Sequence, residues 1–176
     1  MRRFVLDDLK KWKISPDHKP LLVTGVRQCG KTYVIKQFGS EEFEDMAYYN
    51  FEENDALSSV FDYDFNVDRI LNELGNIIRQ KEIIPEKTLL ILDEIQVCPR
   101  AITALKYFCE NKRELHVIAA GSLLGVALKK KEISFPVGKI DHIEMYPMSF
   151  KEFLYAQDKQ NICEGLDQYN KEDELS

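Results

Sequence analysis

Apolar residues fall into short dense runs separated by longer stretches of helical period. Five runs predict strands: Pro20–Thr24, Met46–Phe51, Thr88–Leu92, His116–Ala120 and Lys139–Tyr146. Leu89–Leu92 and Val117–Ala120 are apolar at every position, as in strands covered on both faces of a parallel sheet. Between the runs, apolar residues recur at i, i+3 and i+4. Arg2–Trp12 carries Phe4, Leu6, Leu9 and Trp12, and Val67–Gln80 carries Ile70, Leu71, Leu74, Ile77 and Ile78. Ala101–Asn111 carries Ile102, Leu105, Tyr107, Phe108 and Cys109. Lys31–Phe38 predicts a helix after a glycine turn. Ser149–Gln157 predicts one opened by a capping box of Ser149 and Glu152. Alternating strands and helices predict a layered α/β domain.

Length and composition fit that picture. With 176 residues, the chain suits one domain and can bury a sizeable core. Hydrophobic residues make up 44% and charged residues 31%. No stretch approaches the ~18 apolar residues of a membrane span, and the charged N-terminus does not read as a signal peptide. Cys29, Cys98, Cys109 and Cys163 form no zinc-ligand spacing with one another or with His18, His116 and His142. Reduced thiols in a cytoplasmic protein are the expectation.

The net charge of −6 argues at first against a nucleic-acid-coating or membrane-surface protein. It is local. Glu41–Asp68 holds ten acids and no Lys or Arg, so the rest of the chain has an excess of base. That block reads as a solvated loop, with a docking surface for a basic partner as the alternative.

The sharpest motif is Gly25-Val26-Arg27-Gln28-Cys29-Gly30-Lys31-Thr32, which fits G-x-x-x-x-G-K-[ST]. The glycines let successive N–H groups point inward at phosphate oxygens, and Lys31 reaches the β- and γ-phosphates. The Thr32 hydroxyl is a Mg²⁺ ligand, and the following helix adds its positive N-terminal end. A predicted strand enters the loop and a predicted helix leaves it, which is the required context. Asp93, at the end of the Leu89–Leu92 run, is the second Mg²⁺ residue. Glu94, next to it, is placed to orient and deprotonate an attacking water. Ser122 ends the His116–Ala120 run and either touches the γ-phosphate and the water or caps a helix. Asn50 either holds Glu94 by a hydrogen bond or forms a turn.

Several blocks, taken in order, resemble a known family. They are Arg2-Arg3 with Leu9–Trp12, the phosphate loop, Asn50-Phe51-Glu52, Leu92-Asp93-Glu94-Ile95-Gln96 and Leu105-Lys106-Tyr107-Phe108. Ala120-Gly121-Ser122-Leu123-Leu124-Gly125, Phe135-Pro136-Val137-Gly138-Lys139 and Tyr146-Pro147-Met148-Ser149-Phe150-Lys151-Glu152-Phe153 follow. The chain resembles AAA-type (AAA+) P-loop ATPases of bacteria and archaea that join an ATPase domain to a C-terminal domain of unknown function. The resemblance implies a three-layer P-loop sandwich with about five parallel strands in AAA+ order. It implies Mg-ATP as ligand, Asp93-Glu94 as the Walker B pair and Ser122 as a sensor-like residue. It also implies residues 1–160 as ATPase core, with 1–19 as N-terminal helix and lead-in. Residues 161–176 are then a polar tail or the start of a truncated region, with the helical lid absent or cut short. Relatives of this kind assemble as homo-oligomers and borrow an arginine from a neighbour; Lys139, Arg27, Arg100 and Arg113 are the candidates here.

The resulting expectation is hydrolysis of ATP to ADP and phosphate, coupled to a missing C-terminal domain or partner. A nucleotide-gated switch with little turnover is the alternative. A small-molecule kinase lacks support, since no basic lid is visible between Ser122 and Lys139. A nucleic-acid motor rests only on Lys129-Lys130-Lys131.

Overall fold

The computed structural model describes residues 4–122, 135–149 and 152. Five strands form one parallel sheet: β1 (Leu21–Gly25), β2 (Asp45–Asn50), β3 (Thr88–Asp93), β4 (His116–Gly121) and β5 (Asp141–Met145). Their order is β2-β3-β4-β1-β5, the AAA+ order expected. All five predicted strands are present, with ends shifted by a residue or two.

Among the described residues, four α-helices accompany the sheet: α1 (Phe4–Ile14), α2 (Lys31–Glu42), α3 (Val67–Asn72) and α4 (Pro99–Asn111). Strand parity divides the core between two layers. Leu21, Val23, Leu89, Ile91, Ile118 and Ala120 face α1 and α2, against Leu9, Trp12, Val34, Ile35 and Phe38. Leu22, Leu90, Leu92, Val117 and Ala119 face the opposite layer, where α3, α4 and the Asp55–Phe61 3₁₀ segment supply Ile70, Leu105, Phe108 and Phe61. Side chains this well buried stabilise by about 1.5–3 kcal/mol each against exposure.

The expected Val67–Gln80 helix is interrupted. Past Asn72 the chain widens into a π-helical turn over Glu73–Arg79. Ile70, Leu71 and Leu74 are buried as the spacing predicts, but Ile77 is 64% exposed and Ile78 is 39% exposed. The wider turn rotates the last residues off the buried face. Its ends have identifiable anchors. The Lys81 N–H donates to the Gly75 carbonyl. The Arg79 guanidinium pairs with Asp45 at 2.8 Å and donates to the carbonyls of Met46 and Glu82.

The capping box forms: the Ser149 N–H donates to Glu152 Oε2, and the Glu152 N–H donates to Ser149 Oγ. Glu152 Oε1 also accepts the Phe4 N–H at 2.9 Å, so it ties the start of α1 to this segment. The rest of the expected Ser149–Gln157 helix lies outside the described residues. So do Arg2-Arg3, Leu123–Gly125, Lys129–Lys131, Cys163 and the 161–176 tail.

Much of the acidic block is matched within the chain. Asp45 pairs with Arg79 and Lys81, Asp64 with Arg69, Asp68 with Lys112, and Glu42 with Lys10 and Lys13. Burial opposes ionisation of Asp45, but the bonds and charges of Lys81 and Arg79 outweigh it and hold its carboxyl below the ordinary range. A wholly solvated loop therefore does not describe these residues.

Candidate phosphate-binding site

The loop between β1 and α2 is shaped by close backbone approach. Gly25 lies beside Met145 of β5, and a Cβ there would sit 2.5 Å from the Met145 carbonyl oxygen. No side chain fits, so glycine is required where the strand turns into the loop. Gly30, with φ 87°, ends the loop in the left-handed region and caps α2 without a side-chain bond to the first-turn N–H groups. Those N–H groups are left for an external acceptor. Gln28 is also left-handed, with φ 61°.

Lys31 points back into the loop. Its ammonium donates to the carbonyls of Gly25 and Val26 at 2.8 Å each and lies 3.7 Å from Cys29 Sγ. It is 6% exposed. Among the described residues it has no carboxylate partner, so a buried positive charge is met only by neutral dipoles. That imbalance suits a phosphate group. Cys29 is buried beneath the loop.

Parity places the acids. Asp93 follows Leu89 and Ile91 on the sheet face that packs on α2, so its side chain meets Thr32. The Thr32 hydroxyl donates to Asp93 Oδ2 at 2.8 Å. Asp93 is 2% exposed, and its other oxygen accepts the Glu94 N–H at 2.9 Å. The Tyr48 hydroxyl of β2 also donates to Oδ2, at 2.6 Å. Burial, with the bond and charge of Asp93, pushes the Tyr48 phenol well above its ordinary value, so it remains a donor.

Glu94 takes the opposite direction. Its backbone is left-handed, φ 53° and ψ 42°, and opens a short 3₁₀ turn over Ile95–Val97. A non-glycine residue in this region carries strain of about 1–2 kcal/mol. The turn aims its carboxylate into a cavity of about 400 Å³, which Glu94 shares with Arg27, Gln28, Gly30, Lys31, Thr32, Tyr33 and Ser122. Adjacent carboxylates thus occupy different environments, one buried on Thr32 and one facing the cavity.

Gln96, which the motif reading passed over, donates to Glu94 Oε2 at 2.5 Å; Ser122 Oγ donates to the same oxygen at 3.4 Å. The structure does not bring Asn50 to Glu94. The Asn50 side-chain Oδ1 accepts the Glu52 N–H at 2.9 Å, the turn alternative, and its Nδ2 donates to Tyr48 Oη at 3.5 Å.

Of the arginine candidates, Arg27 lines the cavity and is loosely paired with Glu52 at 3.8 Å. Arg100 donates to the Phe61 carbonyl and lies over the Phe65 ring. Arg113 reaches Cys109 Sγ, and Lys139 pairs with Glu110. None of these last three lines the cavity.

Loop glycines, an unmatched buried ammonium and a Thr–Asp pair of hard oxygens fit a magnesium-bound polyphosphate. Among the described residues no cluster of three or more His, Cys, Asp or Glu is arranged to hold a metal.

Solved structures with the same fold include the Walker-type ATPase PABY2304 of Pyrococcus abyssi, at TM-score 0.56 and 19% identity. The match covers 89% of this chain and 57% of that one. The Aeropyrum pernix ORC1 protein, in a structure with DNA, matches at TM-score 0.47 and 16% identity, covering 92% of this chain and 47% of that one. The C. elegans PCH-2 structure matches at TM-score 0.41 and 13% identity, over 79% of this chain and 40% of that one. This chain thus spans about half the length of the first two. No curated protein matches. The family model described as AAA domain matches residues 17–154, nearly the whole span from the lead-in of β1 to the capping box. The chain belongs to the AAA domain family and has the P-loop α/β fold.

Proposed function

We propose that this domain binds Mg-ATP and hydrolyses it to ADP and phosphate, in a cytoplasmic setting and coupled to movement of a C-terminal domain or separate partner. The observation that carries the reading is the divergence of the adjacent acids: Asp93 is buried on Thr32 while Glu94 faces the cavity beside Lys31.

In this reading the loop N–H groups from Gly25 to Thr32 and the N-terminus of α2 hold the phosphates, and Lys31 neutralises the β- and γ-phosphates. Thr32 and Asp93 hold the magnesium, which supplies charge neutralisation on the phosphate oxygens. Glu94 orients a water and takes its proton as the water oxygen attacks the γ-phosphorus. The bond from that phosphorus to the β–γ bridging oxygen breaks, and ADP leaves with the electron pair. Ser122 and Gln96 fix the Glu94 carboxylate.

A Glu94→Gln variant tests the base. It should keep ATP affinity in calorimetry and lose about 10²–10⁴-fold in phosphate release. Unchanged release would overturn the assignment. The Gln96 bond supports a second reading, a nucleotide-gated switch in which the base is restrained and turnover is slow. Under that reading Gln96→Ala raises phosphate release; under the first it lowers it.

A further inference from the structure

We infer that Tyr48 is a positioning residue for the metal site: its phenol fixes Asp93 so that the Thr32 hydroxyl presents its lone pairs to the magnesium. The inference rests on the Mg-ATP reading above and extends it to a residue on another strand, outside the phosphate-loop and Asp93-Glu94 motifs.

The geometry is built from three elements. β2 and β3 run parallel with Tyr48 beside Ile91 and Asn50 beside Asp93. Tyr48 therefore lies diagonal to Asp93 on the sheet face covered by α2, and its long side chain spans the offset. Its hydroxyl reaches Asp93 Oδ2 at 2.6 Å, the oxygen that also accepts from Thr32 at 2.8 Å. Oδ1 is taken by the Glu94 N–H. With three donors on a buried carboxylate, Asp93 has one orientation. The Thr32 proton is then directed at Asp93, which leaves the lone pairs of Oγ1 for a cation in the cavity.

The phenol is itself held. Lys36 lies one helical turn beyond Thr32 on α2, and its ammonium sits 3.9 Å from the Tyr48 ring centroid. A single helix face thus supplies the hydroxyl that meets the metal and the cation that pins the ring. Partners that orient a metal site from behind typically change its affinity 10–100-fold when removed.

Tyr48→Phe keeps the ring and removes only the hydroxyl. The probe is Mn²⁺, titrated into the protein–ATP complex and followed by its paramagnetic resonance signal. ATP affinity in excess chelator is measured alongside. The expected result is about tenfold weaker Mn²⁺ binding in the ternary complex, with metal-free ATP affinity within about twofold of wild type. Lys36→Met, at an exposed position, leaves the phenol in place and should weaken Mn²⁺ about two- to fivefold. It serves equally should Tyr48→Phe fold poorly. Mn²⁺ affinity unchanged in either folded variant overturns the inference, as does an equal loss of metal-free and metal-bound ATP binding. A wild-type protein that binds ATP but shows no Mn²⁺ dependence overturns it too. Failure of the wild type to bind ATP at all instead overturns the site reading on which it stands.

Discussion

His116 opens β4 at the end of the sheet away from the phosphate loop, and it makes stability depend on pH. Its ring is buried, stacks on His18 with centroids 4.0 Å apart, and meets Trp12 and Phe43 edge-on. Nε2 lies 2.9 Å from the Lys13 carbonyl, so it is the donor, and Nδ1 is buried without a partner. A proton on Nδ1 would bury an unmatched N–H and a charge facing Lys13 and His18. Burial first, then the positive charges of His18 and Lys13, lower its pKa to about 4 despite the bond to the Lys13 carbonyl.

The sign follows directly. Below about pH 6.5 the unfolded chain takes up a proton that the folded chain refuses until about pH 4, so stability falls across that window as pH falls. The full difference is about 3 kcal/mol, of which about 2 kcal/mol is lost between roughly pH 7.5 and roughly pH 5. Urea unfolding at the two pH values measures it. In His116→Phe the ring remains but cannot titrate, and the loss over this window should shrink to a few tenths of a kcal/mol. The lowered Asp45 and Asp64 titrate below it. A wild type equally stable at both pH values, or an undiminished loss in His116→Phe, would refute the reasoning.

Two further substitutions probe the backbone. Gly25→Ala pushes a Cβ to 2.5 Å from the Met145 carbonyl oxygen, which belongs to a neighbouring strand. It should cost about 1–3 kcal/mol in thermal unfolding and at least about tenfold in ATP affinity by calorimetry, and no change in either would contradict the loop geometry. Gln80 is exposed at φ 58° where the π-helical turn ends. Gln80→Gly should stabilise by about 0.5–1 kcal/mol, seen calorimetrically as a melting temperature about 2–3 °C higher; a lower one would mean the left-handed backbone is not strained.

Strands and phosphate loop were legible because their signals are local. A doubly buried parallel strand must be apolar at every position, as Leu89–Leu92 is, and a loop that cradles phosphate needs its glycines at fixed places. Asp93 was legible for the same reason: it follows the last buried residue of the strand. The Val67–Gln80 reading failed where a non-local contact entered. Gly75 packs against the backbone of Lys81 and Ile83, and Arg79 turns to Asp45 on β2. A period of 3.6 carries no trace of either. Tyr48 was missed although the parity that located Asp93 also puts Tyr48 on that face, because the pairing of β2 with β3 is not written in either strand. Gln96 lay inside a quoted block. Its role depends on the left-handed backbone of Glu94, which composition does not forecast.

The proposed function requires the buried Lys31 ammonium to bind the phosphates of ATP. Isothermal titration of ATP with magnesium into the wild type and Lys31→Ala tests it most directly. The wild type should form a one-to-one complex, lost or weakened at least about a hundredfold in a Lys31→Ala protein that remains folded. Equal affinity in the two proteins would contradict it.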